Sequence, residues 1–238
     1  MRRLDRRPPG VSAPAAGLML MLVLTGGGCS FRQQFGVVRP GVLYRGSQPK
    51  PADLAEIKAK YGIKTVVCMR TYDYGPFQGY LDELADAERR YVRQAGMRLV
   101  EMPLPPGTPP EAWMIRRLFE LVEDPASRPV FLHCYAGFER TAAMVAAFRI
   151  RYDGWSTDRC VDEMYRYGYS DLFWPRQKEF VRRLPKFLAW AGLDRTDSPL
   201  AVARGRRQNL SRPAAAPYPA YYGRPGWSVW THPPPAWP

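Results

Sequence analysis

Histidine and cysteine are scarce in this chain of 238 residues: His133 and His232 are the two histidines, and Cys29, Cys68, Cys134 and Cys160 the four cysteines. No two cysteines stand three positions apart, which excludes zinc-finger spacing and a dithiol redox motif. Four scattered cysteines also exclude a disulfide-stapled scaffold. With so few imidazoles and thiols, no catalytic metal site and no cofactor is expected. Acidic residues are in deficit as well, 22 Asp and Glu against 35 Lys and Arg, for a net charge of +13. That imbalance favours anionic partners without choosing among them. Several of the arginines (2, 3, 6 and 7, then 204, 206, 207, 212 and 224) lie towards the two ends. No basic stripe interleaved with aromatics is present, so a nucleic-acid partner is not expected.

Long hydrophobic runs are missing too. Residues 15–24 form an apolar stretch of ten, short of the ~20 that a membrane-spanning helix needs. Basic residues precede it, and Gly26, Gly27 and Gly28 lead from it to Cys29. Residues 1–33 therefore resemble a bacterial secretory signal, with Cys29 in the place of a lipoprotein acylation site. Gly26 departs from that pattern, since an aliphatic residue is usual there. The expectation is an exported, membrane-associated or periplasmic protein. The alternatives are a poorly formed anchor, or a cytoplasmic protein whose start lies further on.

What is present between residues 34 and 195 is an alternation of strand and helix signals. Residues 42–45, 64–69, 97–102 and 129–133 are β-rich and apolar. Between and after them run helical patterns: one opened by Pro51 with Leu54, Ile57 and Tyr61 on one face and Gly62 as its cap, and one over 80–94 carrying Leu81, Leu84, Ala87 and Tyr91. Another follows Pro109 and Pro110 with Trp113, Ile115, Leu118 and Leu121. Residues 141–152 are nearly all apolar, as suits a buried helix. Helices over 156–167 and 175–190 follow, the last with a kink expected at Pro185. This order predicts an α/β domain with a central, mostly parallel sheet flanked by helices. Residues 196–238 hold nine of the 25 prolines and no periodicity, so a disordered Pro/Tyr/Trp/Arg-rich tail is expected there.

The informative stretch is VFLHCYAGFERT, residues 130–141. A buried strand delivers Cys134, five residues follow, and Arg140 and Thr141 open a helix. A loop of that length can curl so that the backbone N–H groups of Tyr135, Ala136, Gly137, Phe138, Glu139 and Arg140 converge on one anion. The helix adds its positive end, and Arg140 a planar fork for two phosphate oxygens. Gly137 lets the chain turn. The same field favours the Cys134 thiolate, the form that attacks. Attack on phosphorus gives a phosphocysteine that water hydrolyses, with Thr141 placed to hydrogen-bond the departing sulfur. His133 is expected to hold the loop through its ring nitrogens.

Residues His133, Cys134, Gly137, Arg140 and Thr141 resemble the signature of the cysteine-based protein-tyrosine and dual-specificity phosphatases. The segments GVLYRGSQP (41–49) and GIKTVVCMR (62–70), and the helix of residues 155–168, resemble bacterial dual-specificity-like members. The resemblance implies that family's fold, a phosphorylated protein or small phosphomonoester as partner, and a place near the loop for Arg45, Ser47 and Gln48. It also implies a carboxylic acid to protonate the leaving oxygen, usually an aspartate one strand earlier. Here that loop, residues 102–110, reads MPLPPGTPP and holds none. Glu139, Glu111 and Asp73 are the candidate substitutes, Glu139 foremost because some lipid phosphatases carry an aspartate at its place. Cys68 resembles a cysteine that forms a reversible disulfide with the nucleophile in related phosphoinositide phosphatases. The alternative for Cys68, and the reading for Cys160, is simple packing.

The uncharged loop residues Tyr135, Ala136 and Phe138 favour phosphotyrosine or a similar ester. Inositol phosphates or phosphoinositides are the alternative substrates. A rhodanese-like sulfurtransferase, whose cysteine loop is usually one residue shorter, and a feebly active phosphate-binding envelope adaptor are the competing functions.

Overall fold

A computed structural model describes residues 34–71, 78–194 and 197–201 of the chain. Cys29, Asp73 and the Pro-rich tail from residue 202 on, and with them the expectations of export, lipidation and disorder, lie outside the described residues. Among the described residues, no helix is long and apolar enough to cross a membrane.

Five strands form one sheet: β1 Gly36–Arg39, β2 Leu43–Gly46, β3 Thr65–Cys68, β4 Arg98–Glu101 and β5 Val130–His133, in the order β1-β2-β5-β3-β4. β2, β5, β3 and β4 are mutually parallel, and β1 pairs antiparallel with β2. The expected α/β architecture is the one observed. β1 is the addition: its burial alternates, but its four residues include a leading glycine and a terminal arginine that mask the strand signal.

The helices are α1 Pro51–Tyr61, α2 Gln78–Gln94, α3 Ala112–Glu123, α4 Arg140–Asp153, α5 Thr157–Arg166 and α6 Pro175–Trp190. α1 starts with proline at its first turn and ends at Gly62, whose φ of 68° is the left-handed cap expected for it. α6 runs through Pro185 as one helix. α2 presents Ala85, Glu88 and Val92 inward, while Leu84, Ala87 and Tyr91, expected to face the core, are half-buried one position round the helix. Hydropathy places a glutamate outside, and here one is inside. Trp113 departs in the same way: it is half-exposed, its indole N–H bonded to Glu111.

α1 and α2 cover one face of the sheet, packing Leu54, Ile57 and Val92 on Tyr44, Val66 and Phe131. The other face carries α3 to α6, with the near-continuously buried α4 at its centre. Burying a side chain such as Phe148 contributes roughly 1.5–3 kcal/mol, so truncating it in this core should cost about 3–5 kcal/mol. Arg149, buried in the second half of α4, is matched: it donates to Val38 O at 2.8 Å and to Glu163 at 2.8 Å, tying α4 to β1 and α5. The parallel strands β2, β3 and β5 point their carboxyl ends to the same side, where open α/β sheets gather their ligand-binding loops.

Candidate active site

Cys134 follows β5 directly, and Arg140 is the first residue of α4, so residues 134–140 span from strand end to helix start. β2 and the turn after it brace this loop from outside. Arg45 donates to the carbonyl of Gly137 at 2.6 Å, and the Gln48 N–H donates to the carbonyl of Tyr135 at 2.9 Å. A trans peptide points its carbonyl and the next N–H in opposite directions. With those two carbonyls held outward, the N–H groups of Ala136 and Phe138 face the inside of the loop, as an anion nest requires. Gly137 is required here twice over. Its φ is 81°, and a Cβ would stand 2.8 Å from the backbone of Gly46 and Ser47. Arg45 itself is fully buried and stacks 3.6 Å above the ring of Tyr167. Burial holds its pKa below the ordinary value, against the pull of Tyr167, Glu163 and Cys134.

The sulfur of Cys134 is 1% exposed and accepts a hydrogen bond from the Gly137 N–H at 3.2 Å. Burial alone would push the thiol pKa up. The Arg140 guanidinium, with the hydroxyl and the backbone N–H of Thr141, overrides it, and the net direction is down. The placement of a sulfur amid donors rather than only among side-chain carbons is what separates this residue from Cys160, whose thiol burial pushes above its ordinary range. Arg140 is anchored by two main-chain carbonyls, Met69 O at 3.2 Å and Leu104 O at 3.0 Å, so the ends of two other segments hold the guanidinium in place.

Glu139 is 3% exposed, and its carboxylate is occupied. One oxygen accepts from the Gly107 N–H at 2.7 Å and from Gln177 Nε2 at 2.8 Å; the other lies 3.2 Å from Arg140 Nε. Burial raises its pKa, opposed by Arg140 and those donors. Of the other acid candidates, Glu111 is exposed at the start of α3, and Asp73 lies outside the described residues.

Cys68 is not brought to Cys134. In the β3–β5 register it stands opposite His133, and side chains alternate faces along a strand. Val67, Met69, Leu132 and Cys134 share one face; Val66, Phe131 and His133 mark the other, to which Cys68 belongs. The expectation of a Cys68–Cys134 disulfide therefore fails on the period of two. Both thiols are free.

His133 meets the loop through Nδ1, 3.1 Å from the Cys134 carbonyl. Its other nitrogen meets a residue the sequence reading passed over, Glu88, at 2.7 Å. Cys68, Glu88 and His133 bring three ligating atoms within 4.8 Å of one another. The 2.7 Å contact is an ion-pair distance, shorter than two ligands of one zinc ion at ~2.0 Å each would allow in a tetrahedral site, so the cluster fits an ion pair beside a thiol. Gln177 and Trp174 were also passed over. Trp174 packs 5.1 Å from the ring of Phe138 and beside Gly107, and Tyr135, at the start of the same loop, is exposed. No spacing rule links any of these residues to the loop, because each arrives from a distant helix or turn.

These features define a protein of the cysteine-based phosphatase class, with a cysteine-bearing loop between a parallel strand and a buried helix. Solved structures carry the same fold. TpbA of P. aeruginosa superimposes at a TM-score of 0.52, 21% identical, over 69% of this chain and 98% of that one. PTPMT1, solved with PI(5)P, also gives 0.52, at 16% identity over 67% of this chain and 99% of that one. The family description "DSP-PTPase phosphatase fused to NAD+ Kinase" matches residues 36–182, and the chain belongs to that family. Among curated proteins, the dual specificity protein phosphatase TpbA of Pseudomonas aeruginosa (strain UCBPP-PA14) is 28% identical over 129 residues, 54% of this chain and 52% of TpbA. The probable chloroplastic NAD kinase 2 of Oryza sativa subsp. japonica is 33% identical over 106 residues, 44% of this chain but 10% of that protein. The inositol diphosphatase SIW14 of Saccharomyces cerevisiae is 20% identical over 133 residues, 54% of this chain and 43% of SIW14. The chain thus spans about half or less of the length of these curated relatives.

Proposed function

We propose that this protein hydrolyses phosphomonoesters through a phosphocysteine intermediate. The observation that carries the proposal is the Cys134 sulfur, held by the Gly137 N–H inside a loop that Arg45 and Gln48 brace and that ends at Arg140; Arg140 and Thr141 favour its ionised form. The thiolate attacks phosphorus as the ester P–O bond breaks, and the alkoxide or phenolate leaves and takes up a proton. Water then attacks phosphorus, the P–S bond breaks, and inorganic phosphate and the thiolate are released. Arg140 binds two equatorial oxygens throughout, and Thr141 donates to the sulfur as it leaves.

Glu139 is a positioning residue in this reading rather than the acid. Burial leaves its pKa raised, but its oxygens are already engaged, and protonating a leaving group would require it to give up Gly107, Gln177 or Arg140. A site so built acts best on esters whose leaving oxygen is already a good one. The uncharged mouth, with Phe138 against Trp174, favours an aryl phosphate such as phosphotyrosine over a multiply charged inositol phosphate. The relatives fall on both sides of that choice: TpbA has been solved with pTyr, and PTPMT1 with PI(5)P.

The test is hydrolysis of para-nitrophenyl phosphate, phosphotyrosine peptide and an inositol phosphate by the full chain and by Cys134→Ser. Turnover of the aryl esters that vanishes in the variant supports the proposal. Preference for the inositol ester overturns the substrate class. No turnover, with phosphate still bound, leaves the adaptor reading. Thiosulfate-to-cyanide transfer would mark a sulfurtransferase instead.

A further inference from the structure

The contact between Glu88 and His133 has no part in the chemistry above, yet it joins α2 to the reactive loop. Both side chains are buried, 2% and 0% exposed. His133 Nδ1 lies 3.1 Å from the Cys134 carbonyl, and Nε2 lies 2.7 Å from Glu88 Oε1. A carbonyl oxygen only accepts, and so does an ionised carboxylate. An imidazole placed between the two needs a proton on each nitrogen, which makes it a cation. The second carboxylate oxygen of Glu88 accepts from Gln48 Nε2 at 2.9 Å, and the backbone N–H of Gln48 in turn holds the Tyr135 carbonyl. One carboxylate therefore reaches two successive peptides of the loop, through the His133 ring and through Gln48.

We propose that Glu88 is a positioning residue that locks the His133 ring, as an imidazolium, against the carbonyl of Cys134 and so sets the loop and its thiolate. The proposal rests on the phosphatase reading for its catalytic consequence, but not for its geometry. The groups facing His133 are Cys68 on β3, Glu88 on α2 and the Cys134 carbonyl on its own strand, with Arg70 acting on Glu88 from just beyond β3. Burial alone would lower the His133 pKa; Glu88, then Cys68, override it and carry it well above the ordinary value. Burial would raise that of Glu88; His133, Gln48 and Arg70 override it, and it falls. Both directions keep the pair ionised. The ring is also held flat on Phe131, with centroids 5.4 Å apart and planes 15° apart, so it cannot turn away cheaply.

The consequence is a positive charge beside the peptide that carries the sulfur. With Glu88→Gln, the amide can still accept from Nε2–H, but the ring loses its reason to stay charged. A neutral ring then takes its one proton on Nδ1, where it still donates to the Cys134 carbonyl, while Nε2 accepts from the amide N–H. The tether is kept, but the thiolate loses a nearby cation.

Two measurements on the full chain test this. With two histidines in the chain, His133 ring signals are assigned by comparison with His232→Gln. They should stay in the cationic form well above the ordinary histidine midpoint of ~6.5. Alkylation of Cys134 by iodoacetamide, followed by peptide mass mapping, should show an inflection about one pH unit higher in Glu88→Gln than in the parent. kcat/KM at low pH should fall about tenfold more than at high pH. A Gly or Ala change that merely loosened packing would lower the rate at every pH and leave the inflection in place. A ring that titrates near its ordinary midpoint, or an inflection unmoved in a folded Glu88→Gln, overturns the proposal. If that variant does not fold, the ring titration of the parent protein decides. Alkylation needs no turnover, so a chain that shifts as expected but hydrolyses nothing would keep this inference and remove the phosphatase reading.

Discussion

Replacing Glu139 by glutamine separates two roles that a carboxylate beside a phosphate-binding arginine can have. Its contacts are two N–H donors on one oxygen, at 2.7 and 2.8 Å, and Arg140 Nε 3.2 Å from the other. A glutamine carbonyl can keep the first pair, from Gly107 and Gln177. Its amide nitrogen then faces Arg140 Nε, donor against donor. The loss is one charge-assisted contact, about 1.5–3 kcal/mol, felt by the group that grips the transferring phosphoryl. That corresponds to a fall in kcat/KM of roughly ten- to a hundredfold. The fall should be the same for para-nitrophenyl phosphate and for an alkyl phosphate, because Arg140 serves both. A second effect has the opposite sign. Glu139 is a negative charge that raises the Cys134 pKa, so removing it should move the acid limb of the pH profile down. The assay is kcat/KM against pH for esters of graded leaving-group pKa. A Glu139→Gln enzyme that keeps its rate on the nitrophenyl ester and fails only on the alkyl ester would show a proton donor, and would refute the positioning role.

Gly137→Ala should abolish turnover while leaving the fold, since the loop cannot hold a φ of 81° with a Cβ 2.8 Å from Gly46; circular dichroism and para-nitrophenyl phosphate hydrolysis check both halves. The buried Glu88–His133 pair should make stability depend on pH. The His133 share is complete below its unfolded pKa of ~6.5 and is lost as pH rises through the raised folded value; the Glu88 share is complete above ~4.5 and is lost as pH falls through the lowered one. Urea unfolding of the parent against Glu88→Gln should therefore differ most, by about 3–5 kcal/mol, between those two unfolded values and converge outside them. Cys68→Ser should recover from peroxide with thiol as the parent does, because Cys68 and Cys134 lie on opposite faces of the sheet; loss of recovery would show a pairing that the register denies. If residues 1–33 direct export with acylation, labelled palmitate should enter the chain in a bacterial host and be absent from Cys29→Ser.

The cysteine-bearing loop was legible in the sequence because its geometry is local. A strand, five residues and a helix start place Cys134, Gly137, Arg140 and Thr141 by chain geometry alone, and no distant residue is needed to see that an anion fits between them. The parallel order was legible for a related reason: short apolar strands separated by helices of three turns or more leave few other connections. What holds the loop was not legible. Arg45 against Gly137 is 92 residues apart, Gln177 against Glu139 is 38, and Glu88 reaches His133 from a helix packed on the sheet; no periodicity records such meetings. Glu88 was concealed because a carboxylate on a helix is read as facing water, and only a buried imidazole opposite it reverses that. Cys68 misled for the complementary reason, since being near in strand order says nothing about which face a side chain takes. Local geometry assembles the reacting atoms in this protein, and packing between remote elements decides their charge and their rigidity.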